Sequence, residues 1–324
     1  MDINAAMSQF FDEQGKINVP EQLTLSGMCE MLYTMAQMEG ATEETLIRYW
    51  DFSQSREGQV HEITRAQVNT RIKAVCVRLQ QVAQPGDRVA ILSSTRYEWS
   101  LLDFAIWAAG AASVPIYPTS SMHQIQWILE DSGAKIAFTE TRDHTQLMSP
   151  FLLDETGKPK FADSPSKLEH IYEFNAAGVE TIKFEGRDVE QSRVDERVRA
   201  TRHETLGSIV YTSGTTGRPK GVEITHGNWA YQCWALLENE IGRVSYPGQR
   251  MVTFLPLAHV FARAVSIAVA MRGASQNHWS DFSTISIEFA RSRPNVILGV
   301  PRVFEKVRNS AAAKAADSGI KTLL

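Results

Sequence analysis

The stretch Thr212-Ser-Gly-Thr-Thr-Gly-Arg-Pro-Lys-Gly221 concentrates residues that could do chemistry. Gly214, Gly217 and Gly221 permit positive φ and let backbone approach a ligand closely. Successive backbone N–H groups in such a loop form a concave nest for phosphate oxygens. The hydroxyls of Thr212, Ser213, Thr215 and Thr216 add uncharged donors, and Lys220 adds a mobile cation. A Walker loop needs G-x-x-x-x-G-K-[ST] ahead of a helix; here Lys220 precedes Gly221 and the glycine spacing differs. A dinucleotide-type G-x-G-x-x-G is also absent. Polar surface hairpins use the same residue types, but ten of them in this order read as a phosphate-binding loop.

Elements on either side must hold that loop. Leu206–Tyr211 reads as a strand entering it, and Val222–Thr225 resumes extended structure. Thr225-His-Gly-Asn228 then leads into a helix bearing Trp229, Cys233 and Leu236. Upstream, Thr64 with Gln67 reads as a capping box, followed by Val68, Ile72, Val75, Leu79 and Val82 on one helical stripe. Thr95 with Glu98 and Ser121 with Gln124 read as two more boxed helices. Arg88–Leu92, Ser113–Tyr117 and Ala134–Phe138 read as the strands between them. This alternation implies βαβ crossovers and an α/β fold with mostly parallel sheets flanked by helices. Further strands are expected at His170–Phe174, Thr181–Phe184, and near Met251 and Val296. The charge-dense stretch Asp188–Glu204 reads as a solvated helix face, and Ala311–Ala316 as helix-favouring.

Composition limits the ligand classes. The chain has 324 residues, about two domains by the usual soft prior. Lys+Arg total 33 against Asp+Glu 37, a net charge of −4, so no basic field favours nucleic acid. A polyanionic ligand must therefore be held by local geometry. Cys29, Cys76 and Cys233 are widely separated and form no C-x-x-C pair, which points away from a disulfide scaffold and towards a reducing, cytoplasmic compartment. The apolar stretches fall well short of the roughly 20 residues a spanning helix requires.

The loop residues Tyr211 to Val222 resemble the AMP-binding signature of the adenylate-forming superfamily, which includes acyl-CoA synthetases, luciferases and peptide-synthetase adenylation domains. Phe254-Leu-Pro-Leu-Ala-His-Val-Phe261 and Gly299-Val-Pro-Arg-Val-Phe-Glu-Lys306 resemble its long-chain fatty acyl-CoA synthetase branch. The resemblance implies a fatty acid–CoA ligase. ATP and a fatty acid give acyl-adenylate and pyrophosphate, and coenzyme A then takes the acyl group. It makes Thr212, Ser213, Gly214, Thr215, Thr216, Gly217 and Lys220 the phosphate loop, with Thr212 a magnesium contact and Lys220 following the leaving pyrophosphate. His259, which alone reads as a core or helix-start histidine, would lie beside the acyl and adenylate pocket. Trp229, Trp234, Phe254, Phe261 and Val265 would neighbour an apolar tunnel, though ordinary core packing accounts for each singly. Ala262-Arg263 stands where many relatives carry Glu-Arg, so an acidic role there is lost or supplied elsewhere.

The resemblance further implies a division into residues 59–224, a first α/β subdomain ending in the phosphate loop, and residues 1–58 plus 225–324, an incomplete second one. The family's later Tyr-Gly-x-Thr-Glu and Thr-Gly-Asp segments and its small C-terminal domain are not found. The chain therefore reads as the N-terminal portion of a longer synthetase, with little ligase activity alone and a possible tendency to form homo-oligomers. Two alternatives stand beside this: an adenylate-forming enzyme for medium-chain, aryl or amino acids, and a non-catalytic nucleotide-binding or scaffold protein.

Overall fold

Arg88-Val-Ala-Ile-Leu92 shows how this sequence builds its layers. Val89 and Ile91 point into one apolar cluster while Ala90 and Leu92 point into another. A strand buried on both faces needs a continuous apolar run, and a parallel sheet covered by helices supplies that environment. The computed structural model describes residues 44–51, 58–161, 164–174, 191–212, 218–305, 308–309 and 312.

Among these, the strands are β1 (Thr45–Asp51), β2 (Gln59–Thr64), β3 (Arg88–Leu92), β4 (Ala112–Ile116), β5 (Ile136–Thr139) and β6 (His170–Glu173). They continue with β7 (Leu206–Thr212), β8 (Lys220–Thr225), β9 (Arg250–Thr253), β10 (Ser275–His278) and β11 (Val296–Ile297). A six-stranded sheet runs β6-β5-β3-β4-β7-β8 and a five-stranded sheet runs β11-β9-β10-β1-β2. Pairings are parallel except β7 with β8 and β1 with β2. The α/β fold with mostly parallel sheets is therefore present.

The helices are α1 (Arg65–Val82), α2 (Tyr97–Ala108), α3 (Met122–Ser132), α4 (Arg142–Met148) and α5 (Gln191–Ala200). They are followed by α6 (His226–Glu238), α7 (Glu240–Val244), α8 (Val260–Arg272) and α9 (Ile285–Ser292). Buried residues of α1, α2, α5, α6 and α8 share one core with β1 and β3. On the opposite face of the six-stranded sheet, Ile125, Ile128 and Leu129 of α3 pack with Met148 and Phe151.

Capping boxes form at Thr64 with Gln67 and at Ser121 with Gln124, and Thr225 with Asn228 adds another. The box read at Thr95 and Glu98 does not form. Arg96 occupies the N-cap of α2 without a side-chain cap. Thr95 Oγ1 instead donates to the Leu255 carbonyl at 2.9 Å, and Glu98 accepts twice from Arg96 at 2.8 Å. Stronger partners, one of them distant in sequence, took both residues.

Gln59–Thr64, expected in the phosphate-loop layer, is instead the edge strand of the five-stranded sheet. It follows β1 closely in sequence and pairs with it, with Tyr49 opposite His61. In α5, Val194 and Val198 are buried while Glu196 and Arg199 are exposed, so the solvated reading holds for one face. The strand read at Thr181–Phe184 and most of Ala311–Ala316 lie outside the described residues.

Two histidines sit inside these layers. His226 is fully buried, and neither ring nitrogen has a hydrogen-bond partner among the described residues. His278 is buried with Nε2 at 2.9 Å from Ser100 Oγ. Burial, reinforced at His226 by the Arg263 cation, lowers both to about 3. The unfolded chain, with imidazoles near their ordinary value of about 6.5, then binds more protons than the folded one. Stability is thus fully present above about pH 6.5 and declines as pH falls from there towards 3. By pH 5 each histidine contributes a loss on the order of 2 kcal/mol. Urea unfolding at pH 7 and pH 5 should show this decline, and His278→Gln should remove roughly half of it. An unchanged slope in that variant would contradict the assignment.

Candidate functional site

β7 carries the chain to the loop and β8 carries it away. In the antiparallel ladder Thr212 pairs with Lys220 and Tyr211 with Gly221. The side chains of Thr212 and Lys220 are both exposed at the mouth of this hairpin. The structure thus brings these two predicted residues together; Ser213, Gly214, Thr215, Thr216 and Gly217 lie outside the described residues. Gly221 is required by close approach, since a Cβ there would meet Ile209 Cγ2 at 2.8 Å and the Tyr211 ring at 3.0 Å.

α3 braces the hairpin from one side. The Tyr211 hydroxyl donates to Asp131 Oδ2 at 2.6 Å. Burial, then the Asp131 carboxylate, push the Tyr211 phenol well above its ordinary value, so it stays a donor. Trp127, one turn before Asp131, donates its indole N–H to the Pro219 carbonyl at 2.8 Å. The Arg218 guanidinium lies over the same indole at 4.6 Å. Sequence reasoning missed both residues, because their partners lie 92 and 80 positions away and neither type signals them.

His259 stands in the other layer, past the end of β9, as the N-cap of α8. Its Nδ1 accepts from the Phe261 N–H at 3.2 Å, and the side chain is exposed. The helix-start reading therefore describes its local role. Of the expected tunnel neighbours, Trp229, Trp234, Phe254 and Val265 are buried in core clusters, whereas Phe261 is 44% exposed. A cavity of about 420 Å³ opens elsewhere, between the two sheets, lined by Tyr49, Arg96, Glu140 and His278 among others. Thr212, Lys220 and His259 do not line it.

The two layers meet on a buried charge. Arg263 of α8, 1% exposed, donates from Nε and Nη2 to Asp103 of α2 at 2.7 and 2.5 Å. Nη2 also reaches Ser113 Oγ of β4 at 2.6 Å and Ser208 Oγ of β7 at 2.8 Å. The rings of Trp99, Trp107 and Trp229 surround the guanidinium at 5.3, 4.9 and 4.6 Å. Trp107 and Trp229 in turn donate to the Gly207 carbonyl and Ser208 Oγ at 2.7 and 3.2 Å. Asp103 thus supplies a carboxylate to Arg263, where Ala262 offers none.

Among the described residues no group of three or more His, Cys, Asp or Glu is placed to hold a metal ion. In phosphate-binding loops a Ser or Thr hydroxyl can ligate magnesium beside the phosphates, and the exposed Thr212 hydroxyl is a ligand of that type. No helix among the described residues is long and apolar enough to cross a membrane.

Residues 38–324 match the model of the AMP-binding enzyme family, and the chain belongs to that family. Long-chain-fatty-acid–CoA ligase FadD15 of Mycobacterium bovis is 36% identical over 272 residues, covering 81% of this chain and 43% of that protein. Long-chain-fatty-acid–CoA ligase ACSBG2 of Mus musculus is 27% identical over 270 residues, covering 80% of this chain and 39% of that protein. The chain therefore spans less than half the length of these relatives. Among solved structures, a Mycobacterium tuberculosis fatty acyl CoA synthetase superposes with a TM-score of 0.69 at 22% identity, covering 87% of this chain and 50% of that one. A long-chain-fatty-acid-CoA ligase (FadD1) from Archaeoglobus fulgidus gives 0.71 at 18% identity, covering 92% and 56%. Both show the same fold.

Removing one partner of a buried ion pair leaves an uncompensated charge, which costs about 3–5 kcal/mol. Asp103→Asn should lower unfolding stability by that order in urea titrations. The double variant Asp103→Leu with Arg263→Met should lose clearly less than the sum of the single changes. Additive losses would show that the pair is not coupled.

Proposed function

We propose that this chain is the nucleotide-binding front part of a long-chain fatty acid–CoA ligase. One observation carries the reading: the Thr212–Lys220 hairpin lies in a chain 36% identical to a named long-chain ligase over 81% of its length. In this reading the fatty carboxylate attacks the α-phosphorus of ATP and pyrophosphate leaves. Both partners are anionic, so the site must hold them in line and meet charge as it develops. The Lys220 ammonium would compensate the departing pyrophosphate, and the Thr212 hydroxyl and loop groups Ser213–Gly217 would cradle the β and γ phosphates. Magnesium, when bound, neutralises charge shared between those phosphates. His259 would border the acyl and adenylate groups, and coenzyme A would then receive the acyl chain as a thioester.

The six-stranded sheet would form the phosphate layer, and the five-stranded sheet, with Gln59–Thr64 included, the acyl layer. A cytoplasmic setting suits unpaired thiols such as Cys76 and Cys233. Self-association of this portion is part of the same proposal and is readable by light scattering.

Titration of the chain with ATP and magnesium tests the reading. A charge-assisted hydrogen bond contributes about 1.5–3 kcal/mol, so Lys220→Ala should weaken ATP binding roughly 10- to 100-fold. Inorganic pyrophosphate should compete with ATP for the wild-type chain. Absence of ATP binding, or binding indifferent to Lys220, would overturn the proposal.

A further inference from the structure

We propose that Trp127 is a positioning residue for the phosphate loop, setting from α3 where the loop's exit lies. Its functional consequence rests on the nucleotide reading above, whereas its physical claim does not. Two interactions of different kinds converge on one indole. The N–H donates to the Pro219 carbonyl at 2.8 Å, and the ring face carries the Arg218 guanidinium at 4.6 Å. Pro219 has no N–H of its own to donate and a restricted φ, so its carbonyl is the one backbone handle it offers. Fixing that carbonyl and the preceding side chain fixes the two residues directly before Lys220.

The platform beneath is rigid. α3 is capped by Ser121 with Gln124, closed at Gly133, and buries Ile125, Ile128 and Leu129 against the sheet. Asp131, on the same helix face as Trp127, holds Tyr211 at the loop entrance. The entrance and exit are thus referenced to one helix turn, which adds side-chain anchors at Tyr211 and Pro219 to the ladder that pairs Thr212 with Lys220. A long, flexible lysine stem loses entropy when its head is localised; a fixed exit reduces how much must be lost when phosphate binds.

Trp127→Phe keeps a ring under Arg218 and removes the N–H, and Trp127→Leu removes both. Hydrogen exchange of the amides of Thr212, Arg218, Lys220, Gly221 and Val222, measured without nucleotide, should accelerate about tenfold in the phenylalanine variant and more in the leucine variant. Exchange in β3 and β4 should stay as in the wild type, which a merely structural loss would not allow. ATP titration should then show about three- to tenfold weaker binding in Trp127→Phe at an unchanged melting temperature. Unchanged exchange in the loop flanks overturns the proposal whether or not the wild type binds ATP. Wild-type failure to bind ATP, with exchange accelerated as stated, would instead fault the nucleotide reading and leave the brace standing. If Trp127→Leu fails to fold, Trp127→Phe alone decides.

Discussion

The Arg263–Asp103 pair is the contact on which the relation between the two layers depends. Taking a guanidinium and a carboxylate out of water costs several kcal/mol per ion, so such a pair persists only when the surrounding groups also engage it. Here the hydroxyls of Ser113 and Ser208 accept from Nη2, and three indole faces surround the cation. Burial pushes the Asp103 carboxyl up, and the Arg263 charge opposes that push. Four elements, α2, β4, β7 and α8, therefore share one point that none can leave alone. β7 ends at Thr212, at the mouth of the candidate loop, and α8 is capped by His259. The spacing of those two ends is set from inside the core rather than by the loops themselves.

Parallel strands add a second constraint. In an open α/β sheet, ligands bind outside the carboxyl ends of the strands. β3, β4, β5 and β7 run the same way, so Thr212 and the segment from Ser93 to Thr95 emerge at one edge. The bond from Thr95 to the Leu255 carbonyl then draws the Phe254–His259 segment towards that edge. β8 breaks the pattern by returning antiparallel at the sheet's rim, which lets a short loop present Thr212 and Lys220 side by side. Gly221 makes the return possible, because the Tyr211 ring occupies the space a side chain would need.

What could be read from the sequence was what is decided locally. The boxes at Thr64 and Ser121 are settled within three residues, and β3, β4, β5 and β7 by short runs rich in apolar residues. Sites settled at long range were not legible. Thr95 and Glu98 have the right spacing for a box, yet a carbonyl 160 positions away claimed the hydroxyl. β10 is Ser-Gln-Asn-His, all buried, with no apolar pattern to detect. Its burial rests on polar pairing: Gln276 with Thr253 and Ser266, Asn277 with Glu288, His278 with Ser100. Asp103 was hidden the same way, an acid among the apolar residues Leu101 to Ala108 whose partner lies in another layer. Of the candidate site, Thr212 and Lys220 could be proposed from the sequence because glycine, hydroxyl and lysine types suggest a phosphate loop; Trp127 and Asp131 could not, because neither type does.

The charge balance bears on how such a site would work. A chain of net charge −4 exerts no long-range pull on a polyphosphate, so attraction must arise at the hairpin itself. There, neutral hydroxyls and backbone donors outnumber cations, and Arg218 is occupied by the Trp127 face. This division has a kinetic logic. Gripping substrate and leaving group equally tightly does not speed a reaction, whereas contacts that strengthen as charge develops do. In the proposed reaction, neutral donors would orient the phosphates without gripping them, and a single mobile ammonium would follow the charge as it moves onto pyrophosphate. For that to work the lysine must start from a defined place, and a fixed hairpin exit is the economical way to provide one. On the proposal above, α3 sets that place through the two residues just before Lys220.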